Sequence, residues 1–220
     1  IWLTATQLNV KTETAVVTRG DNSTAAFAPG DEVSILSWNV GYAGLGEESD
    51  FFMDGGKQTR APSKAIVEKN MDGIVATVQG MAADFTFLQE IDAGPSTHAY
   101  GIEEAGRLRT ETQLDSAHAL NYKCAFVPYP IPPIGRVNTG LMTLSTAPIA
   151  SAERIALPSP FKWPVSVANL KRCLMPVYID LEGTDAQLVL VNLHLEAYDD
   201  GEGKAAQTAA LTSFLEQEYA

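Results

Sequence analysis

Cysteine is scarce in this sequence of 220 residues, and its scarcity limits the kinds of site that the chain can build. The two cysteines, Cys124 and Cys173, form neither a CxxC pair nor a zinc-ligand pattern. Each lies in an apolar run that is typical of a β-strand, so we expect two buried free thiols rather than a disulfide. Cysteine usage therefore leaves the redox compartment open.

The sequence also lacks long apolar runs and an excess of basic residues. No 18 consecutive residues are apolar, so no segment is predicted to span a membrane. Fifteen Lys and Arg against 27 Asp and Glu give a net charge of −12, which argues against binding nucleic acid through a generally basic surface. The charge remains compatible with a local pocket for one phosphate, and metal-binding carboxylates would add to the acidic balance.

The chain opens with the apolar stretch IWLTA and does not begin with Met. Such an opening suits a chain cleaved just after a signal or anchor segment, and a recombinant fragment would look the same. From the first alternative we expect a location outside the cytoplasm, or on the exterior of a membrane to which the protein is anchored.

Periodicity predicts one α/β domain with a short lead-in. Residues 1–32 have no steady period and are predicted to form a short strand and loop, whereas residues 33–220 are regular and contain no repeat or low-complexity segment. Strand–helix–strand units come first and antiparallel strands follow, which favours mixed α/β layers. The predicted strands are VSILSWNV, DFTFLQE, YKCAFVPY, TGLMTLS, ASAERIAL, RCLMPVYIDL and QLVLVNLHL.

Three segments carry helical patterns, and one long loop separates the first strand from the first helix. Apolar residues recur at near-helical spacing between Pro62 and Gly80, where Pro62 and Ser63 are placed to begin the helix. A weaker pattern covers residues 102–119, and an amphipathic helix is predicted for residues 203–219. The Gly-rich loop at residues 41–57 is of a length usually kept for function.

Polar side chains stand at the ends of three predicted strands. Asn39 ends the first, Gln89 and Glu90 end the second, and Asn192 and His194 end the last. If these strands lie side by side, an amide oxygen, a carboxylate and an imidazole meet at one sheet edge. Such oxygens suit Mg²⁺ or Mn²⁺, and an imidazole without cysteine ligands favours phosphate-ester chemistry over a zinc hydrolase.

Four motifs in order resemble the endonuclease/exonuclease/phosphatase superfamily, which holds DNase I-like nucleases, neutral sphingomyelinases and inositol polyphosphate phosphatases. They are SWNVG (Ser37–Gly41), DFTFLQEID (Asp84–Asp92), GLMTLS (Gly140–Ser145) and VNLHLEA (Val191–Ala197), and the resemblance covers roughly residues 33–220. It implies a DNase I-like four-layer α/β sandwich with two central mixed or antiparallel sheets. It also implies metal-dependent hydrolysis of a phosphodiester or phosphomonoester through in-line attack by an activated water.

The resemblance assigns roles to individual residues. Asn39 and Glu90 would hold the catalytic Mg²⁺ (or Mn²⁺), and His194 would face the scissile phosphate. The substrate-side positions would be Arg172, Asn138 and Asn192. The substrate itself, whether nucleic acid, phospholipid or a small phosphodiester, is not specified by these motifs.

Simpler explanations stay open for the same residues. Asn39 would alternatively serve as the cap of the turn after its strand, and His194 as a hydrogen-bonded core histidine. Arg172 would pair equally well with one of the many acidic side chains. His98 and His118 fall in charged or loop-like surroundings and are predicted to face solvent.

Departures from the family pattern bear on activity. Leu141 stands where many members have Asn, and neither a GDxN nor an SDH triplet occurs in the sequence. In the family those triplets position the nucleophile and complete the site, so we expect an incomplete domain whose 220 residues are nearly inactive alone. Two further expectations follow. One is self-association through an exposed sheet edge, and the other, from a different class, is a non-catalytic module that binds a phosphorylated or lipid ligand.

Overall fold

The computed structural model describes residues 7–197 and 201–219. The apolar opening, residues 1–5, lies outside the described residues. Across these residues the chain folds into two facing β-sheets with helices on their outer sides, which confirms the predicted α/β sandwich.

The larger sheet contains five strands of the described chain, in the spatial order β2, β5, β6, β4 and β3. Its strands are β2 (Val16–Thr18), β3 (Ile35–Asn39), β4 (Phe85–Asp92), β5 (Asp115–Val127) and β6 (Gly135–Ser145). Only the β3–β4 pair is parallel among these, so the sheet is mixed. A parallel pair needs a crossover, and the helix between β3 and β4 supplies it.

The smaller sheet has the order β1, β7, β8 and β9, and its described strands are all antiparallel. These strands are β1 (Thr12–Thr14), β7 (Ser151–Ala156), β8 (Cys173–Asp180) and β9 (Gln187–Leu193). The lead-in segment thus adds one short strand to each sheet. Between β1 and β2, the buried Ala15 donates its backbone N–H to the Ala152 carbonyl at 2.9 Å.

Helix α1 (Lys64–Met81) begins where the sequence predicts, because the Ser63 hydroxyl accepts a hydrogen bond from the Ile66 N–H at 3.3 Å. Helix α2 (Glu104–Thr112) joins α1 on the outer face of the five-stranded sheet. Helix α3 (Glu202–Glu218) confirms the predicted closing helix, and its Glu218 hydrogen-bonds Tyr178 of β8.

The helix predicted over residues 102–119 is wrong in its second half. Gln113 adopts a left-handed conformation with φ 56°, which ends α2. From Asp115 the chain forms the interior strand β5, paired on one side by β2 and on the other by β6. Tertiary pairing thus overrides a weak local pattern there.

Two apolar layers hold the sandwich together. Phe85, Leu141 and Met175 pack between the sheets, where alternate residues of each strand point inward. Leu88 and Met142 point to the other face, toward α1 and α2. Burial on both faces of β4 keeps its end fixed in place, which matters for the site that it carries.

The cysteines and histidines outside the strand ends differ in how well the sequence predicts their surroundings. Cys124 and Cys173 are buried free thiols, as expected. The prediction that His118 and His98 face solvent is wrong: His118 is 7% exposed, and the side chain of His98 is 12% exposed and contacts Asp92.

No described helix combines the length and apolarity needed to cross a bilayer.

Candidate functional site

Glu90 owes its position to an irregularity in β4. The pairing of β4 with β6 shifts register between Gln89 and Ile91, and Glu90 has φ 55°, which is uncommon for a residue with a side chain. Because of this bulge, the side chains of Gln89 and Glu90 point in different directions. Gln89 points between the sheets, whereas the Glu90 carboxylate reaches the end of the sheet with 18% of its side chain exposed.

Asn39 reaches the Glu90 carboxylate from the adjacent strand. β3 and β4 run parallel, and Asn39 lies opposite Gln89 in the register. The Asn39 amide hydrogen-bonds the Glu90 carboxylate, while its Oδ1 accepts from the Gly41 N–H at 3.0 Å. Burial raises the pKa of Glu90, and the Asn39 hydrogen bond and the Arg172 charge partly oppose that rise.

His194 follows directly after β9 and approaches Glu90 from the other sheet. Its Nε2 lies 3.7 Å from Glu90 Oε1, which is too long for a direct hydrogen bond. Its buried Nδ1 has no hydrogen-bond partner among the described residues. Burial, and secondarily the Arg172 charge, lower the pKa of His194 to about 4, so the imidazole is neutral at neutral pH.

Arg172 places a positive charge beside these groups. The residue is 4% exposed, and its Nε lies 3.6 Å from Glu196 Oε2. Its Nε and Nη1 have no hydrogen-bond partner among the described residues. The positive charge of Arg172 lowers the pKa of both Glu90 and His194, so the three side chains lie close together.

The remaining two predicted substrate residues lie elsewhere. Asn192 is 1% exposed, and its amide donates to the carbonyls of Leu88 and Met142 while accepting from Gln89 at 2.9 Å. It joins the two sheets instead of reaching the open site. Asn138 packs on the turn after β4, with its backbone N–H donating to the Ser96 hydroxyl at 2.9 Å. A Cβ added to Gly94 would come within 2.2 Å of the Asn138 amide nitrogen.

A second group of buried polar residues borders the site, and the sequence patterns did not reveal it. Asp92 Oδ2 lies 2.9 Å from His98 Nε2, and the Tyr42 ring packs on the His98 ring with centroids 4.6 Å apart. Glu104 accepts the Asp92 backbone N–H, and burial, with the charge of Asp92, raises the pKa of Glu104 well above its usual value. Asp92 lies within a recognised motif and Tyr42 in the long loop, but no local pattern joins them to His98.

Asn39 and Glu90 also face an open groove. Its opposite wall is α1, with Lys69 and Asn70 among the lining side chains, and Asp54 of the long loop closes one end. The described residues contain no group of three or more His, Cys, Asp or Glu side chains placed to bind a metal. The oxygens available to hold a cation here are the Glu90 carboxylate and the Asn39 Oδ1, which would have to turn from the Gly41 N–H toward Glu90. Water or substrate oxygens would complete the shell.

Solved structures with similar folds include several phosphoesterases. An endonuclease/exonuclease/phosphatase protein from Beutenbergia cavernae DSM 12333 matches with a TM-score of 0.57 and 20% identity, over 82% of this chain and 43% of that one. The human Nocturnin catalytic domain, solved with a bound sulfate anion, matches with a TM-score of 0.53 and 15% identity, over 91% of this chain and 64% of that one.

The chain has the DNase I-like fold. TDP2 from D. rerio, complexed with a single-strand DNA product, also shares this fold, with a TM-score of 0.50 and 14% identity over 84% of this chain and 54% of that one. The chain thus spans less than two thirds of the length of each of these DNase I-like structures. No protein-family model and no curated protein matches the sequence.

Proposed function

We propose that this chain carries the phosphate- and metal-binding site of a metal-dependent phosphoesterase. One observation supports this most strongly: Asn39 and Glu90, from adjacent strands of one sheet, meet His194 and the buried Arg172 from the other sheet. Oxygen donors, an imidazole and a guanidinium in one place are the groups that phosphate-ester hydrolysis needs.

The donor set fits Mg²⁺ or Mn²⁺. Both prefer carboxylate and amide oxygens, and Mg²⁺ keeps several waters, so two protein ligands suffice. The raised pKa of Glu90 indicates that burial disfavours its charged form, and a cation would offset this cost. When bound, the cation would polarise a phosphoryl oxygen and balance negative charge.

Arg172 and His194 would then each bind a phosphoryl oxygen. Arg172 has donors to spare, and it would bind a phosphoryl oxygen through charge-assisted hydrogen bonds. His194 is neutral, and its Nε2 makes no direct hydrogen bond with Glu90, 3.7 Å away, so the imidazole would be available to hydrogen-bond a second phosphoryl oxygen. Attack by water would proceed in line with the leaving group.

Turnover by these 220 residues should be low. The resemblance assigns nucleophile positioning to GDxN and SDH triplets that the sequence does not contain. The alternative function, a module that binds a phosphorylated or lipid ligand without hydrolysing it, rests on that same absence and uses the same four side chains. The proposal covers a nucleic acid, a phospholipid or a small diester as the substrate.

Calorimetric titration of inorganic phosphate, with Mg²⁺ or with EDTA, tests the site independently of turnover. We expect binding that requires the cation and that falls at least about tenfold in Glu90→Gln, because a ligand oxygen is lost. Glu68→Gln is the matched control, since Glu68 is an exposed residue of α1 whose carboxylate pairs with Lys64 one turn earlier in the same helix. Metal-independent binding, or equal affinities of the two variants, would refute the proposal.

Hydrolysis of bis-p-nitrophenyl phosphate then separates the two functions. Slow, Mg²⁺-dependent release of nitrophenol that Glu90→Gln abolishes identifies a phosphoesterase site. Phosphate binding with no turnover at any metal concentration favours the binding module.

Two expectations stay predictions. One is the location outside the cytoplasm or on a membrane exterior. The other is self-association: β3 and β9 each pair on one side only within the described residues, and such edges recruit further strands. Analytical ultracentrifugation tests the latter, and a monomer at all concentrations would refute it.

A further inference from the structure

An apolar cavity lies next to the proposed phosphate site. It offers about 80 Å³ of cavity volume and is partly open to solvent. Its walls come from the long loop and from the end of the five-stranded sheet. The lining includes Tyr42, Phe51, Phe52, Tyr122, Val137 and Leu170. An apolar, concave lining of this kind is typical of a ligand site.

The loop that forms one wall is held in place by its own backbone. The Asp50 carbonyl accepts from the N–H groups of Lys57 and Gln58 at 3.0 and 2.7 Å, and the Phe52 N–H donates to the Gln58 carbonyl at 3.0 Å. Gly56 is required in this closed turn, because a Cβ there would lie 2.3 Å from the Asp50 carbonyl oxygen. The rings of Phe51 and Phe52 pack edge to face, 4.9 Å apart. The wall is therefore preformed.

Tyr42 joins the cavity to the phosphate site. Its ring lines the cavity and packs on His98, which lines it as well. The charges of Glu90 and Arg172 both act on the Tyr42 hydroxyl, and burial together with the Glu90 carboxylate raises its pKa well above the usual value. Gly41, beside Tyr42, borders both the apolar cavity and the groove of Asn39 and Glu90. Leu45 lines both as well, so the cavity and the groove that Asn39 and Glu90 face share a wall.

The polar groups in the cavity are few. Thr59 is 2% exposed, and its hydroxyl has no hydrogen-bond partner among the described residues. Arg60 stands beside it in the lining. The hydroxyls of Thr139 and Tyr122, also in the lining, already donate to the carbonyls of Ile91 and Val167. A wall with so few free polar groups favours an occupant that is apolar over most of its surface, since a sugar would leave its hydroxyls unpaired there.

We propose that this cavity binds a compact apolar group, about the size of one aromatic ring, esterified to the phosphate that the neighbouring site holds. This inference rests on the proposed function and narrows its substrate class to phosphoesters with an apolar substituent. The ring would pack among Tyr42, Phe52 and Val137, while its phosphate reaches Arg172 and Glu90.

Three ligands test this on the 220-residue chain with Mg²⁺ present: inorganic phosphate, phenyl phosphate and ribose 5-phosphate. We expect phenyl phosphate to bind at least about tenfold more tightly than the other two, because a ring is transferred from water into an apolar cavity. NMR should show methyl shifts of Val137 and Leu170 with phenyl phosphate only. Phe52→Ala should remove most of the advantage, whereas Phe126→Ala, at a residue that is 42% exposed and outside the cavity, should keep it.

The outcomes separate the two proposals. If phosphate and phenyl phosphate bind equally and Glu90→Gln weakens both, the phosphate site stands and the apolar subsite is refuted. Tighter binding of ribose 5-phosphate than of phenyl phosphate refutes it as well. If neither phosphate nor phenyl phosphate binds, the proposed function fails, and this inference fails with it.

Discussion

Two buried arginines show how differently the same side chain is used in this fold. Arg154, on β7, is 0% exposed and gives each arm of its guanidinium to a backbone carbonyl: Nε to Leu120, Nη1 to Val10 and Nη2 to Lys171, at 2.7–3.1 Å. Arg172 is 4% exposed, yet its Nε and Nη1 donate no hydrogen bond to the described residues. One arginine is fully used by the fold, and the other keeps donors that the proposed phosphate site would use.

The first arginine also positions the second. The Lys171 carbonyl accepts from Arg154, and the Lys171 N–H donates to the Asn121 carbonyl at 2.5 Å. The Arg172 carbonyl accepts the Leu157 N–H at 2.9 Å. The backbone on both sides of Arg172 is therefore fixed by hydrogen bonds. Its side chain is held beside Glu196, but Nε and Nη1 make no hydrogen bond to the described residues. Burial alone does not distinguish a structural arginine from a functional one, but the count of satisfied donors does.

The largest expected effect is on stability, from Arg154→Met. Met fills similar space but leaves three carbonyls without their donor, so the free energy of unfolding should fall by at least about 3 kcal/mol. Urea denaturation measures it. A loss below about 1 kcal/mol would show that water replaces the guanidinium at little cost, and the contrast between the two arginines would then disappear.

The second expected effect is on binding, from Arg172→Lys. Lys keeps the charge near Glu196 but lacks the planar fork, so affinity for phosphate with Mg²⁺ should fall about tenfold to a hundredfold. The free energy of unfolding should change far less than in Arg154→Met, because Lys keeps a positive charge beside the buried Glu196 and neither Nε nor Nη1 has a hydrogen bond to lose. Unchanged phosphate affinity together with marked destabilisation would assign Arg172 the structural role instead.

The sequence predicts the sheets better than it predicts these roles. Strand periodicity and four motifs locate Asn39, Glu90 and His194, because strand ends follow from the apolar runs before them. Alternation in β7 even places Arg154 on the same face as Ala152, but fully buried arginines are rare, and nothing local indicates its three carbonyl partners.

What the sequence could not supply are contacts between distant segments. The bulge that frees Glu90 from strand alternation depends on pairing with β6. The approach of Tyr42 to His98 depends on how the long loop folds back. Asn192 matched a motif but is used between the sheets, since only the packed structure shows which polar strand-end residue turns inward.

The smallest effect concerns a third arginine, the half-buried Arg109 of α2, which acts on His118 of β5. Burial, with a smaller contribution from Arg109, lowers the pKa of His118 to about 4, and Lys123 and Glu13 line the same cavity. An unfolded histidine titrates near 6.5, so the unfolded chain binds more protons between about pH 6.5 and 4. Stability should therefore fall as the pH is lowered through that window, by roughly 2 kcal/mol from this group.

His118→Gln should remove that share, and Arg109→Gln should raise the pKa of His118 by less than about one unit. Urea denaturation at pH 7 and pH 4.5 and NMR titration of the imidazole measure the two effects. Equal pH dependence with and without His118 would contradict the assignment.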